Sequence, residues 1–184
     1  MKLWCLFFPA WLIASSCVDN KPSADAGKPD STIHSQSNSA DHQANKINTG
    51  TTQPEEVLSY ARSLIGIPYK YGSIDPNEGL DCSGFITTVF NHFQINVPRS
   101  SKDFTNVEHP VSLKNSKPGD LILFTGTDST KRQVGHMGII IENDGRAINF
   151  IHSTSGKADG VTITPLNSYY EGRFVTAIRI FTGL

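Results

Sequence analysis

The chain has 184 residues, enough for one domain with length to spare, and its 16 Lys and Arg against 17 Asp and Glu leave a formal charge of -1. With no basic excess, nucleic-acid binding is excluded on electrostatic grounds. The three cysteines are Cys5, Cys17 and Cys82, and only Cys82 lies beyond the leader, so the folded part can hold no internal disulfide framework.

Residues 1–17 read as an export signal. Lys2 supplies the positive start, and Leu3 to Ile13 form an apolar stretch too short to span a bilayer as a mature helix. The run Ile13-Ala14-Ser15-Ser16-Cys17 resembles a bacterial lipoprotein signal, in which Cys17 becomes the lipidated first residue of the mature chain. Ordinary signal cleavage nearby is the alternative. Residues 18–52 are almost wholly Ser, Asn, Asp, Lys, Gln, Ala, Pro and Gly. Such a stretch buries too little surface to offset its ordering entropy and is expected to be a disordered tether, with His34 and His42 solvated.

The folded domain is expected over residues 53–184. Thr52 and Glu55 form a capping-box pattern with Pro54 in the first turn, and Val57, Leu58, Ala61, Leu64 and Ile65 recur at helical spacing until Gly66 and Pro68. A loop rich in Tyr and Gly follows. Cys82 then opens a second predicted helix, with Phe85, Ile86, Val89, Phe90 and Phe93 as its apolar stripe. Beyond the turn signal at Lys117-Pro118-Gly119-Asp120, strands are predicted at Leu121–Phe124, Met137–Ile141, Ala147–Ile151, Val161–Ile163 and Phe174–Phe181. Asn143-Asp144-Gly145-Arg146 is the hairpin turn between the second and third. Helices first and strands second give an α+β class, with N-terminal helices packed on an antiparallel sheet.

Cys82 is the residue most informative about chemistry. In the first turn of a helix its thiol meets free backbone N–H groups and the positive end of the helix dipole, which favour the nucleophilic thiolate. On position alone a small buried hydrophobe fits equally well. A cysteine nucleophile needs a base, and the base needs an orienting partner. His92 lies about three turns along the Cys82 helix and reads as a surface or packing residue. His109, in a loop before Pro110, reads as structural or solvated. His136 opens one strand and His152 ends the next, so a hairpin centred on Asp144-Gly145 makes them near neighbours. One imidazole can then take the thiol proton while the other orients it.

Six ordered pieces carry a family resemblance: Pro68-Tyr69-Lys70-Tyr71-Gly72, Asp81-Cys82-Ser83-Gly84-Phe85, Val97-Pro98-Arg99-Ser100-Ser101, the run from Lys117 to Phe124, the run from Gly135 to Ile141, and the run from Phe150 to Ser155. Together they cover nearly all of the chain after Tyr60, which resembles the NlpC family of papain-like cysteine peptidases that cut the peptide stems of bacterial cell walls. The resemblance implies a papain-like single domain with Cys82 as nucleophile, His136 as base and His152 as orienter. It further implies Tyr71 beside the oxyanion, Asp81 against the free amine of a stem peptide, and Arg99 and Ser101 in a polar loop near the cleft. It implies no cofactor and no metal. The partners are peptidoglycan stem peptides or muropeptides, cut between D-glutamate and a diamino acid. The expected location is the cell envelope, on a lipid anchor at Cys17 facing the periplasm or in the outer membrane. The chain departs from the family at Gly72-Ser73, where many relatives have Gly-Gly, and in the longer loop through Asp75, Pro76 and Glu78.

Other readings stay open on the residues alone. Cys82, His136 and His152 are acceptable zinc ligands for a metal-dependent hydrolase. The same fold and dyad serve amidase or acyltransferase chemistry on other amides and esters, or a binding lipoprotein. Oligomeric state is not encoded in any motif.

Overall fold

The computed structural model describes residues 46–107 and 109–182; the leader, Cys17 and the tether up to residue 45 lie outside the described residues. Helix α1 spans Pro54–Ser63. Its N-cap is Gln53, one residue later than the sequence suggested: the Gln53 backbone N–H donates to Glu56 Oε2 at 2.8 Å. Pro54 decides the register, because a residue with no N–H fits the first helical position, which makes residue 53 the cap. Val57, Leu58 and Ala61 are buried, whereas Ile65 is 48% exposed because the helix ends at Ser63, before its stripe reaches that position. Ile47 is also buried in this core, so packing begins inside the stretch 18–52 expected to be tether. It is the one aliphatic residue of 46–52.

After α1 the chain runs back along the sheet. Pro68 bridges to Gly160 and Tyr69 makes a parallel bridge with Leu80. Strands β1 (Ile74–Asp75) and β2 (Gly79–Leu80) form a small hairpin that leads directly into helix α2, Cys82–His92. Phe85, Ile86, Val89 and Phe90 of α2 are fully buried. Gly84 is obligatory where α2 passes this hairpin, since a Cβ there would lie 2.0 Å from the Ser73 carbonyl oxygen. His92 stacks on Tyr60 with ring centroids 3.7 Å apart, a packing role at the far end of the helix.

The remaining strands are β3 (Pro110–Val111), β4 (Leu121–Thr125), β5 (Val134–Asn143), β6 (Ile148–Thr154), β7 (Gly160–Pro165) and β8 (Phe174–Ile178), with helix α3 at Ser168–Glu171. They form one antiparallel sheet in the order β3-β8-β4-β5-β6-β7. Alternation along β4 explains its unbroken apolar run: Leu121 and Leu123 join the core under α1 and α2, while Ile122 and Phe124 join a second cluster with Ile140, Phe150 and Tyr170. A strand buried on both faces has no polar side to show. The 3-10 segment at Ser101–Asn106, β3 and α3 are too short for sequence periodicity to register.

Candidate active site

The hairpin β5–β6 aligns Ile139 with Ile151, and an irregularity between Ile140 and Glu142 shifts the rest of the ladder by one residue. Continuing the register, Gly138 falls opposite His152, and His136 sits two residues away on the same face. The contact between the imidazoles is therefore diagonal. Gly138 makes it possible: a Cβ there would lie 2.8 Å from the Ile151 carbonyl oxygen and 3.1 Å from His152 Cβ. With that space open, His136 Nε2 and His152 Nδ1 come within 2.8 Å in an edge-on arrangement. His152 Nε2 lies 2.9 Å from Thr164 Oγ1 on β7. Both rings pack among Phe124, Phe150 and Tyr170.

Cys82 reaches this group from the other layer, at the end of β5. Its thiol donates to the Gly135 carbonyl at 3.9 Å, immediately before His136. Gly135 lets the strands approach there, since a Cβ would meet Gly126 backbone at 2.9 Å. Cys82 and His136 open together into a cleft of about 970 Å³ that also exposes Tyr69, Lys157, Tyr169, Tyr170 and Arg173. The thiol and the His136 imidazole thus share one cleft, and His136 is joined through the His152 imidazole to the Thr164 hydroxyl.

Electrostatics set the resting protonation. Burial, and then the Asp81 charge, push the Cys82 thiol up to about 11, against the lowering effect of the Ser83 and Cys82 backbone N–H groups and of Arg99. The helix-start preference for thiolate, expected from position, is outweighed by desolvation. Burial, then the neighbouring His152 and the Arg173 charge, hold His136 well below the ordinary histidine range. Burial and Arg173 likewise bring His152 down to about 3. All three groups are neutral near pH 7.

Two expected substrate contacts are placed differently. Tyr71 is 89% exposed and does not line the cleft. Tyr69, two residues earlier, does, and its hydroxyl is raised by burial and then by the charges of Cys82 and Asp81. The bridge from Tyr69 to Leu80 fixes this, because it puts residue 69 beside the start of α2 and residue 71 in the turn beyond. Spacing alone could not choose between two tyrosines in Pro-Tyr-Lys-Tyr-Gly.

Asp81 is the N-cap of α2: Oδ1 accepts from Gly84 N at 2.5 Å and from Ser83 Oγ at 3.1 Å. Arg99 clamps the same carboxylate through Nη1 to Oδ1 at 3.2 Å and Nη2 to Oδ2 at 2.7 Å. Burial alone would raise Asp81, but the bonds from Arg99, Gly84 and Ser83 prevail and hold it below the ordinary carboxylate range. Neither Asp81, Arg99 nor the buried Ser101 lines the cleft. Thr164, Tyr170, Lys157 and Arg173 were not singled out by sequence. The Thr-Ile-Thr alternation of β7 was the available signal for Thr164.

The zinc arrangement is not formed. Nitrogens bound to one tetrahedral zinc sit about 3.3 Å apart, whereas the facing nitrogens of His136 and His152 are 2.8 Å apart and hydrogen-bonded to each other. Among the described residues no group of three His, Cys, Asp or Glu side chains is placed to hold a metal ion.

Comparison with known proteins identifies the fold. The NlpC/P60 family model matches residues 66–179. A gamma-DL-glutamyl hydrolase of Bacillus subtilis is 36% identical over 135 residues, 73% of this chain but only 32% of that relative's length. A probable endopeptidase NlpC of Escherichia coli is 34% identical over 121 residues, 65% of this chain and 73% of the relative. The crystal structure of an NlpC/P60 family protein from Bacillus cereus superposes with a TM-score of 0.63 at 30% identity, covering 72% of this chain and 42% of that one.

Proposed function

The chain belongs to the NlpC/P60 family, and from that premise we propose that it is an exported cysteine peptidase that hydrolyses amide bonds in peptidoglycan stem peptides. The proposed bond is the one between D-glutamate and a diamino acid; the name of the Bacillus subtilis relative supports a glutamyl bond. The observation that carries the reading is that Cys82 and His136 open on one cleft, with His136 joined to His152 and His152 to Thr164 in a row behind them.

The row has one productive proton order. His136 must keep the nitrogen facing the cleft unprotonated to accept the thiol proton. Its other nitrogen, Nε2–H, then donates to His152 Nδ1, and His152 Nε2–H donates to Thr164 Oγ1. The reverse order would leave His136 with a proton facing the thiol and no base. Thr164, by accepting, favours the working tautomer of His152.

As the substrate carbonyl arrives, His136 takes the thiol proton and Cys82 Sγ bonds to the carbonyl carbon. The oxyanion is met by the Cys82 backbone N–H at the start of α2 and by the Tyr69 hydroxyl. Collapse expels the amine, which receives the proton from His136, and leaves a thioester. Water then attacks with His136 again as base, freeing the carboxylate and restoring the thiol. Asp81 and Arg99 hold the helix start in place. Lipidation at Cys17 would keep the domain at a membrane of the envelope.

Release of stem fragments from purified sacculi tests the reading. Cys82→Ala and prior iodoacetamide treatment are both expected to abolish release, and a chelator to leave it intact. Undiminished release by Cys82→Ala would refute the thiol mechanism.

A further inference from the structure

The cleft beyond Cys82 and His136 carries charge of one sign. Its lining contains two cations, Lys157 and Arg173, and no carboxylate among the described residues. Arg173 is only 7% exposed. Its side chain is fixed by three hydrogen bonds to neutral oxygens: Nε donates to Gly126 O at 3.0 Å, Nη1 to the Tyr169 hydroxyl at 2.7 Å and Nη2 to Thr125 O at 2.8 Å. The guanidinium also lies over the Tyr169 ring, 4.9 Å from its centroid.

These contacts orient the group without neutralising it. Arg99 and Arg179 each pair with a carboxylate, of Asp81 and Asp120 respectively, whereas no Asp or Glu among the described residues pairs with Arg173. A guanidinium has five N–H donors, of which three are used here. A charge buried without a counter-ion is costly, and the cleft it lines is where an anion would arrive. Lys157 stands in the exposed loop between β6 and β7 on the same cleft, forming no ion pair among the described residues.

We propose that Arg173 and Lys157 form a carboxylate-binding subsite, so that the preferred substrate is a peptide with a free carboxylate beside the scissile amide. This rests on the peptidase reading above. Arg173 supplies a rigid planar fork and Lys157 a mobile point charge, the combination that separates a carboxylate from a carboxamide of equal shape. The carboxylate can belong to the glutamyl residue or to the diamino acid, and the two are distinguishable chemically.

The test uses the full chain and γ-D-glutamyl-diamino acid peptides in three forms: both carboxylates free, the glutamyl carboxylate amidated, and the diamino acid carboxylate amidated. One amidation is expected to lower kcat/KM about ten- to a hundredfold, chiefly through KM, as for loss of a charge-assisted hydrogen bond. The peptide that suffers identifies which carboxylate is read. Arg173→Gln is expected to bring the preference to about one, and Lys157→Glu, on an exposed loop where folding is not at risk, to diminish or invert it. A merely structural Arg173 would alter stability and leave the preference as it was. Equal rates on all three peptides, or a wild-type preference surviving in Lys157→Glu, would overturn the subsite while leaving the peptidase reading in place. Hydrolysis of none of the three would overturn both.

Discussion

Acid should destabilise this domain well before its carboxylates titrate, and the buried imidazole pair is the reason. An unfolded histidine binds a proton near pH 6.5, whereas folded His152 does so only near 3. Because its folded value is depressed, its neutral form costs nothing above pH 6.5, and stability is lost as pH falls from there toward 3. Between pH 7.5 and 5 the loss through His152 alone is about 2 kcal/mol by proton linkage. His136, held down first by burial, adds to it in the same direction. Asp81 stays out of this window, since its contribution is lost only as pH falls below the ordinary carboxylate value through its lowered one. Urea unfolding followed by fluorescence at the two pH values measures the effect. With a urea slope of about 1–3 kcal/mol per molar, the midpoint should fall by about 1 M or more at pH 5. His152→Asn should remove its share and leave that of His136. Identical midpoints at pH 7.5 and 5 would show that the pair is solvated or already charged, and would refute the assigned proton order.

With its thiol pushed up to about 11, Cys82 should be alkylated by iodoacetamide at a rate climbing about tenfold per pH unit from 7 to 9; a plateau from pH 5 to 8 would instead reveal a thiolate–imidazolium pair. Thr164→Val keeps the side-chain shape but removes the acceptor for His152, and should lower kcat about ten- to a hundredfold with KM little changed, read from initial rates on a defined stem peptide. Asp81→Asn weakens both the α2 cap and the Arg99 pair. It should cost about 1–3 kcal/mol in a denaturation experiment, as a lost cap and charge-assisted bonds do.

What the sequence disclosed depended on range. The Cys82 helix and the long strands β5 and β6 announce themselves through unbroken periodicity, and the Asp144-Gly145 turn brings His136 and His152 to the same hairpin. The diagonal offset between them was hidden, because it depends on an irregularity at Ile140 to Glu142 that no local signal marks. That Tyr69 and not Tyr71 lines the cleft was hidden because it rests on a single long-range bridge, from Tyr69 to Leu80. Arg173 and Thr164 escaped notice for the same reason: each is an ordinary residue of its own segment and becomes informative only when β7 and α3 fold against the imidazoles. Position also misled about charge. A helix start argues for thiolate, but burial beside Asp81 is a tertiary property, and it decides the outcome.

Mass spectrometry of a defined tetrapeptide muropeptide, after incubation with the protein and with Cys82→Ala, tests whether Cys82 hydrolyses a D-glutamyl–diamino acid bond. The expected products are a muropeptide ending in D-glutamate and a free diamino acid–D-alanine dipeptide, each absent with Cys82→Ala. Cleavage at another bond, or the same products from Cys82→Ala, would contradict that reading.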